Sequence, residues 1–211
     1  MAAQSDNSTE KNSKNLSHPS GVVVDIGTGD GRFVYRSAAG NPNKFYIGID
    51  ANAAPLEKIS MKATRKPAKG GLANVLFVQA AIENLPAELN ETADEIHIHF
   101  PWGSLLAAVA TGDEAALASL RRISAPECLL EIIIGIDEQR DRAEIERLGL
   151  PHLSDEYLRE TLIPKYGRAG FEILESGRLN PSEWSRIETS WARRLQTNDN
   201  RQCVYLILQA V

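Results

Sequence analysis

The stretch Asp25-Ile26-Gly27-Thr28-Gly29-Asp30-Gly31 sets an acid ahead of three alternating glycines, and a second acid, Asp50, follows about twenty residues later. Glycine lets a backbone approach a ligand closely and adopt positive φ. An acid at the end of the next strand is where a doubly wound fold binds a ribose. The spacing D-x-G-x-G-x-G departs from the dinucleotide fingerprint G-x-G-x-x-G, and Asp30 inside the turn would repel a pyrophosphate. A cationic amino-acid ligand suits this turn better. The plainer alternative, a glycine-rich bend between a strand and a helix, leaves the position of Asp50 unexplained.

The elements that position these residues alternate in type. The apolar run from Val22 ends at the glycine turn and leads into a helix over Arg32–Ala39. Phe45–Ile49 reads as a strand ending at Asp50, followed by a helix over Ala53–Arg65 with Leu56, Ile59 and Ala63 inward. Gly70-Gly71 reads as a flexible bend. Further strands are expected at Val75–Val78, Glu95–Phe100, Leu129–Ile136, Phe171–Ser176 and Gln202–Leu208, and helices at Ser104–Ala110, Asp113–Ile123, Glu138–Leu148, Ser154–Arg168 and Trp184–Leu195. Alternation of this kind implies an α/β fold, a mostly parallel seven-stranded sheet with helices on both faces. The glycine turn resembles motif one of the class I S-adenosylmethionine-dependent methyltransferases, a Rossmann-like family. That resemblance implies S-adenosylmethionine as cofactor, an antiparallel edge built from the last two strands, and adenine contacts in the Ala80–Glu83 segment.

Composition bounds the rest. The 211 residues suit one domain, expected over residues 21–211, after a polar N-terminal segment (1–20) expected to be a mobile tail and not a signal peptide. No apolar run reaches membrane-spanning length. The expectation is a cytoplasmic monomer with no membrane association and no metal. Cys128 and Cys203 lie in separate apolar runs and read as buried hydrophobes. Net charge is −5, yet Lys58, Lys62, Arg65, Lys66 and Lys69 fall within twelve residues that contain no acid. On charge alone the cluster reads equally as an RNA contact or a solvated helix face.

Ligands of open α/β sheets bind at the carboxyl ends of the strands, so Asp25, Asp50, Glu83 and Phe100-Pro101-Trp102-Gly103 should converge. Trp102 would stand at the acceptor entrance, suited to stack an extruded base. Trp191 reads equally as the opposite wall or as packing; Trp184 reads as packing. Methyltransferases acting on exocyclic amines carry a polar side chain where this chain has Phe100, leaving only backbone carbonyls near Phe100 and Pro101 to recognise an amino group. A ring nitrogen is therefore the expected acceptor. His97 and His99 alternate along one strand, with no acid or cysteine at ligand spacing in sequence, and read as structural.

Four segments in order, Gly27–Arg32, Lys66–Leu72, Phe100–Leu106 and Glu188–Leu195, resemble the aminoglycoside-resistance 16S ribosomal RNA methyltransferases of the kanamycin–apramycin type. Those enzymes methylate N1 of a decoding-site adenine in the small ribosomal subunit. The resemblance implies that Asp25, Gly27, Gly29, Asp50, Ala81 and Glu83 line the cofactor pocket. It implies that Trp102 and Trp191 sandwich the flipped adenine beside Phe100 and Pro101, with Thr189 and Arg194 nearby. It also implies that Lys62, Arg65, Lys66, Lys69 and Arg201 bind rRNA phosphates. Members of the family usually carry a hairpin before the first strand, where this chain has its polar segment. Asp199 and Met61 stand where basic residues are expected. Two other readings are a tRNA guanine-N7 methyltransferase, disfavoured because Ser104–Ala110 has no basic residue, and a non-catalytic module that binds ribosome or cofactor.

Overall fold

The computed structural model describes residues 19–179 and 203–211. Seven strands form one sheet in the order β3-β2-β1-β4-β5-β7-β6: β1 (Val22–Ile26), β2 (Phe45–Asp50), β3 (Val75–Gln79), β4 (Ala93–His99), β5 (Ser124–Ile134), β6 (Phe171–Leu179) and β7 (Cys203–Ala210). The first five are parallel to one another. β7 inserts antiparallel between β5 and β6, which gives the expected antiparallel edge. The β-branched runs of β1, β4 and β5 are apolar on both sides because the sheet is covered on both faces there. One side, built on Val24, Ile47, Ile96, Ile98 and Leu130, packs beneath α3 (Gly103–Thr111) and α4 (Glu114–Ile123). On the other, Val23 and Tyr46 pack with Val34 and Ala38 of α1 (Arg32–Gly40).

Several boundaries differ from expectation for local reasons. α2 is Ala53–Ala63, capped by Asn52, and ends at Thr64, so Arg65 and Lys66 lie beyond the helix. β5 begins five residues early, at Ser124, and is interrupted where Pro126 lacks a donor and Glu127 adopts φ 62°. α5 (Arg142–Leu148) starts late because Asp137 Oδ1 accepts the amides of Gln139 and Arg140 and Asp141 Oδ2 accepts that of Asp137, closing a turn in place of a helical start. The stretch before β6 runs through α6 (Asp155–Tyr157), a π-helical turn (Leu158–Leu162) and α7 (Ile163–Arg168), where Pro164 cannot donate. The expected helix over 184–195 lies outside the described residues.

Candidate active site

The glycine turn hangs from the end of β2. The Ile49 carbonyl accepts the amides of Gly27 (2.8 Å) and Thr28 (3.0 Å), so the turn after β1 folds against the neighbouring strand end. Gly27, Gly29 and Gly31 all have positive φ, 78°, 59° and 66°. Their missing side chains serve different ends. A Cβ on Gly27 would lie 2.4 Å from Leu105, and one on Gly31 2.6 Å from Phe77, so both positions pack closely against the fold. A Cβ on Gly29 would meet no heavy atom within 4 Å, so this glycine leaves open space beside the turn.

Asp50 has both carboxylate oxygens engaged by backbone amides: Oδ2 by Gly29 (2.8 Å) and Oδ1 by Asn52 (2.9 Å). Each oxygen keeps a lone pair for a further donor. The segment after β3 is tied to the same strand end, with the Ala80 amide donating to the Asp50 carbonyl (3.1 Å) and Gln79 Nε2 to the Ala51 carbonyl (3.2 Å). Ala81 and Glu83 stand exposed around the 3-10 turn Ile82–Asn84 that follows. Asp25 is 5% exposed, and burial pushes its carboxyl up from the ordinary carboxylate range while neighbouring His99 and Thr28 pull it down. A buried carboxylate under this pressure favours a cationic ligand. An oriented ribose acceptor, an open glycine cradle and a carboxylate that benefits from a cation together fit S-adenosylmethionine.

Beneath Phe33 of α1, β4 and β5 carry a polar cluster that sequence reasoning missed. His99 Nε2 pairs with Glu131 Oε1 at 2.5 Å, and the imidazoles of His97 and His99 stack at 5.0 Å between centroids. Glu131 comes from the neighbouring strand, and Glu95, two residues before His97 on β4, lies 3.8 Å from the His97 ring. Burial, then the adjacent His99, lowers His97 to about 4. The His99 hydrogen bond, despite partial burial, holds the Glu131 carboxyl below its ordinary value.

The Phe100–Gly103 turn departs from strand alternation. Alternation puts Phe100 on the side of Ile96 and Ile98, yet its ring packs with Ile133 and Cys203 on the opposite side. The cause is its φ of 52°, a left-handed conformation that an aromatic residue rarely adopts. The Phe100 amide is held by the Ile133 carbonyl at 2.7 Å, and its ring fills space that a side chain on Gly135 would occupy, 2.8 Å away. Packing thus sustains a conformation costing about 1–3 kcal/mol, of the kind that clusters at functional sites. Pro101 is buried, whereas Trp102 is 46% exposed at the head of α3. Leu105, in the first turn of that helix, lies against Gly27 and so draws the Trp102 turn beside the glycine turn. The helix behind it carries no basic residue and buries Leu106, Val109 and Ala110.

The lysine segment is a tied turn and not a flexible bend. Pro67–Lys69 forms a 3-10 turn, the Gly70 and Gly71 amides donate to the Pro67 and Lys66 carbonyls, and Tyr35 donates its hydroxyl to the Gly70 carbonyl at 2.5 Å. A side chain on Gly71 would lie 1.6 Å from the Arg65 carbonyl oxygen. Lys62, Arg65, Lys66 and Lys69 are all exposed. Cys128 and Cys203 are buried and not joined by a disulfide, and burial pushes the Cys128 thiol up to about 11. Trp191, Thr189, Arg194 and Arg201 lie outside the described residues, as does Trp184.

Residues 3–210 match the NpmA family model, described as 16S rRNA (adenine(1408)-N(1))-methyltransferase. A protein of that description from Escherichia coli is 41% identical over 175 residues, covering 82% of this chain and 80% of the relative. Another, from Streptoalloteichus tenebrarius, is 35% identical over 181 residues, covering 85% and 82%. Among solved structures, the aminoglycoside resistance methyltransferase NpmB1 superposes with a TM-score of 0.80 at 45% identity, covering 92% of this chain and 89% of that one. A tryptophan-to-alanine mutant of the 16S rRNA (adenine(1408)-N(1))-methyltransferase from Catenulisporales acidiphilia, solved with cosubstrate SAM, gives 0.82 at 33% identity, covering 92% and 87%.

Proposed function

This chain belongs to the 16S rRNA (adenine(1408)-N(1))-methyltransferase family, and we propose from that premise that it methylates N1 of the decoding-site adenine in the small ribosomal subunit, conferring aminoglycoside resistance. S-adenosylmethionine supplies an electrophilic methyl group on a sulfonium. Asp25, Gly27 and Gly29 hold its amino-acid part, Asp50 takes the ribose hydroxyls, and Ala81 and Glu83 line the adenine end. Trp102 and Trp191 stack on the flipped base, with Thr189 and Arg194 beside it, and the carbonyls of Phe100 and Pro101 accept from its amino group. Lys62, Arg65, Lys66, Lys69 and Arg201 hold rRNA phosphates, which fix register and orientation without reading sequence.

The chemistry asks little more of the protein. The N1 lone pair of adenine is unprotonated at neutral pH, so no general base is required. The protein's contribution is alignment of nucleophile and electrophile, together with indole faces that favour the cationic base that forms. The geometry of the reaction rests on stacking and on the Phe100 turn. On this proposal the substrate is the small subunit and the enzyme acts as a cytoplasmic monomer; among the described residues no helix is long and apolar enough to cross a membrane.

The observation that supports this reading is the close approach of Leu105 to Gly27, with the exposed Trp102 indole at the head of the same helix as Leu105. Its test is Trp102→Ala. Losing a base–aromatic stack worth about 1–3 kcal/mol should cut methylation of small subunits by roughly 5- to 150-fold. S-adenosylmethionine affinity by calorimetry should stay near wild type. A large loss of cofactor affinity would refute the assignment of Trp102 to the acceptor.

A further inference from the structure

α1 and α2 lie side by side and enclose a cleft of about 540 Å³ at the protein surface, lined by Asp30, Arg32, Tyr35, Arg36, Lys58 and Lys62 among others. Four of these are cations and one is an acid. Arg32 and Arg36 stand one helical turn apart on α1, as do Lys58 and Lys62 on α2, so two cationic pairs face across the cleft. Arg32 pairs with Asp30 at 3.3 Å. Among the described residues, Arg36, Lys58 and Lys62 form no ion pair with an acid.

We infer that this cleft is a phosphate-binding site for the backbone of the rRNA substrate, in which Arg36 and Lys58 act with Arg32 and Lys62. The inference rests on the rRNA reading above and extends the docking surface to residues of α1 that the lysine segment does not include. Three observations support it. The cations exceed the acids by three, an excess that attracts a polyanion and is left uncompensated by the fold. The cleft is pre-organised: the Lys62 ammonium sits 4.1 Å above the Tyr35 ring, and the Tyr35 hydroxyl is bonded to the Gly70 carbonyl. That link joins the cleft to the Lys66–Lys69 turn, making a continuous cationic track beside the glycine turn.

The same contacts argue for backbone over base recognition. Stacking a base needs a free aromatic face, and reading a base amino group needs a free acceptor. Asp30 is engaged by Arg32, and Lys62 covers the Tyr35 ring. What the cleft offers is positive charge on flexible and forked donors between low-polarity walls such as Pro55 and Ile59, which suits phosphate oxygens.

The test uses the full chain and purified small ribosomal subunits, with affinity measured from about 50 to 200 mM salt. Arg36→Ala with Lys58→Ala should weaken binding and flatten the slope of log affinity against log salt by about one per cation removed. S-adenosylmethionine affinity, read separately by calorimetry, should be unchanged, and Arg36→Lys alone, which keeps the charge, should leave the slope near wild type. Lys66→Glu with Lys69→Glu serves as the comparison. If that pair weakens binding while the Arg36 and Lys58 variant keeps the wild-type affinity and slope, the cleft is overturned and the wider reading stands. If the cleft variant loses cofactor affinity instead, the cleft acts on the glycine turn and the phosphate site is overturned. If the wild-type chain shows no salt-dependent binding to subunits, the proposed function fails, and the cleft with it.

Discussion

Asp50→Asn removes one charge and almost no volume, yet the geometry around Asp50 makes it a severe change. Both carboxylate oxygens accept backbone amides, Gly29 at 2.8 Å and Asn52 at 2.9 Å. An asparagine has one acceptor oxygen, so either orientation turns its NH2 group toward an amide N–H. If Gly29 is the amide released, the glycine turn loses its tether to β2; if Asn52 is released, the start of α2 loses its own. A hydrogen bond to a charged group contributes about 1.5–3 kcal/mol. Expressed in ligand binding, that is roughly a 10- to 150-fold loss of affinity. Calorimetric titration with S-adenosylmethionine reads the loss, and circular dichroism melting shows that the variant is folded. A folded Asp50→Asn protein that binds the cofactor within about threefold of wild type would refute the role given to this carboxylate.

Other outcomes follow from the same contacts. Gly71→Ala places a Cβ 1.6 Å from the Arg65 carbonyl oxygen; displacing that turn should cost about 1–3 kcal/mol in thermal or denaturant unfolding. It should weaken small-subunit binding while sparing cofactor affinity, and equal loss of both would contradict the assignment of the turn to RNA. The His97 value near 4 lies below its unfolded value of 6.5, so the unfolded chain takes up a proton between these limits and the folded one does not. Stability from this group is complete above pH 6.5 and is lost as pH falls toward 4, on the order of 3 kcal/mol in all. Melting temperatures across that range should fall more steeply for wild type than for His97→Phe; parallel slopes would contradict the burial argument.

The parallel core and the glycine turn were legible because their signals are local. A β-branched run closed by alternating glycines names both the strand and the turn, and Asp50 sits at the end of the next such run. The lysine cluster was equally visible as charge, but its form was not. Gly70-Gly71 looks flexible in sequence, and only the packing of Gly71 against the Arg65 carbonyl makes it a tied turn. The His99–Glu131 pair was not legible, since its members are thirty-two residues apart and meet only through the β4–β5 register. The side of the sheet taken by Phe100 also escaped pattern reading. Alternation predicts one face, and a single left-handed φ moves the ring to the other. The α1–α2 cleft was hidden for a related reason: Arg32 and Arg36 join Lys58 and Lys62 only when the helices pack.

The central claim is methyl transfer to N1 of one decoding-site adenine, and primer extension on small ribosomal subunits tests it most directly. Methylation at N1 blocks Watson–Crick pairing and halts reverse transcriptase. Subunits incubated with the protein and S-adenosylmethionine should give a stop at that adenine, absent when either is omitted. Read-through at that position, with cofactor binding established by calorimetry, would contradict the account.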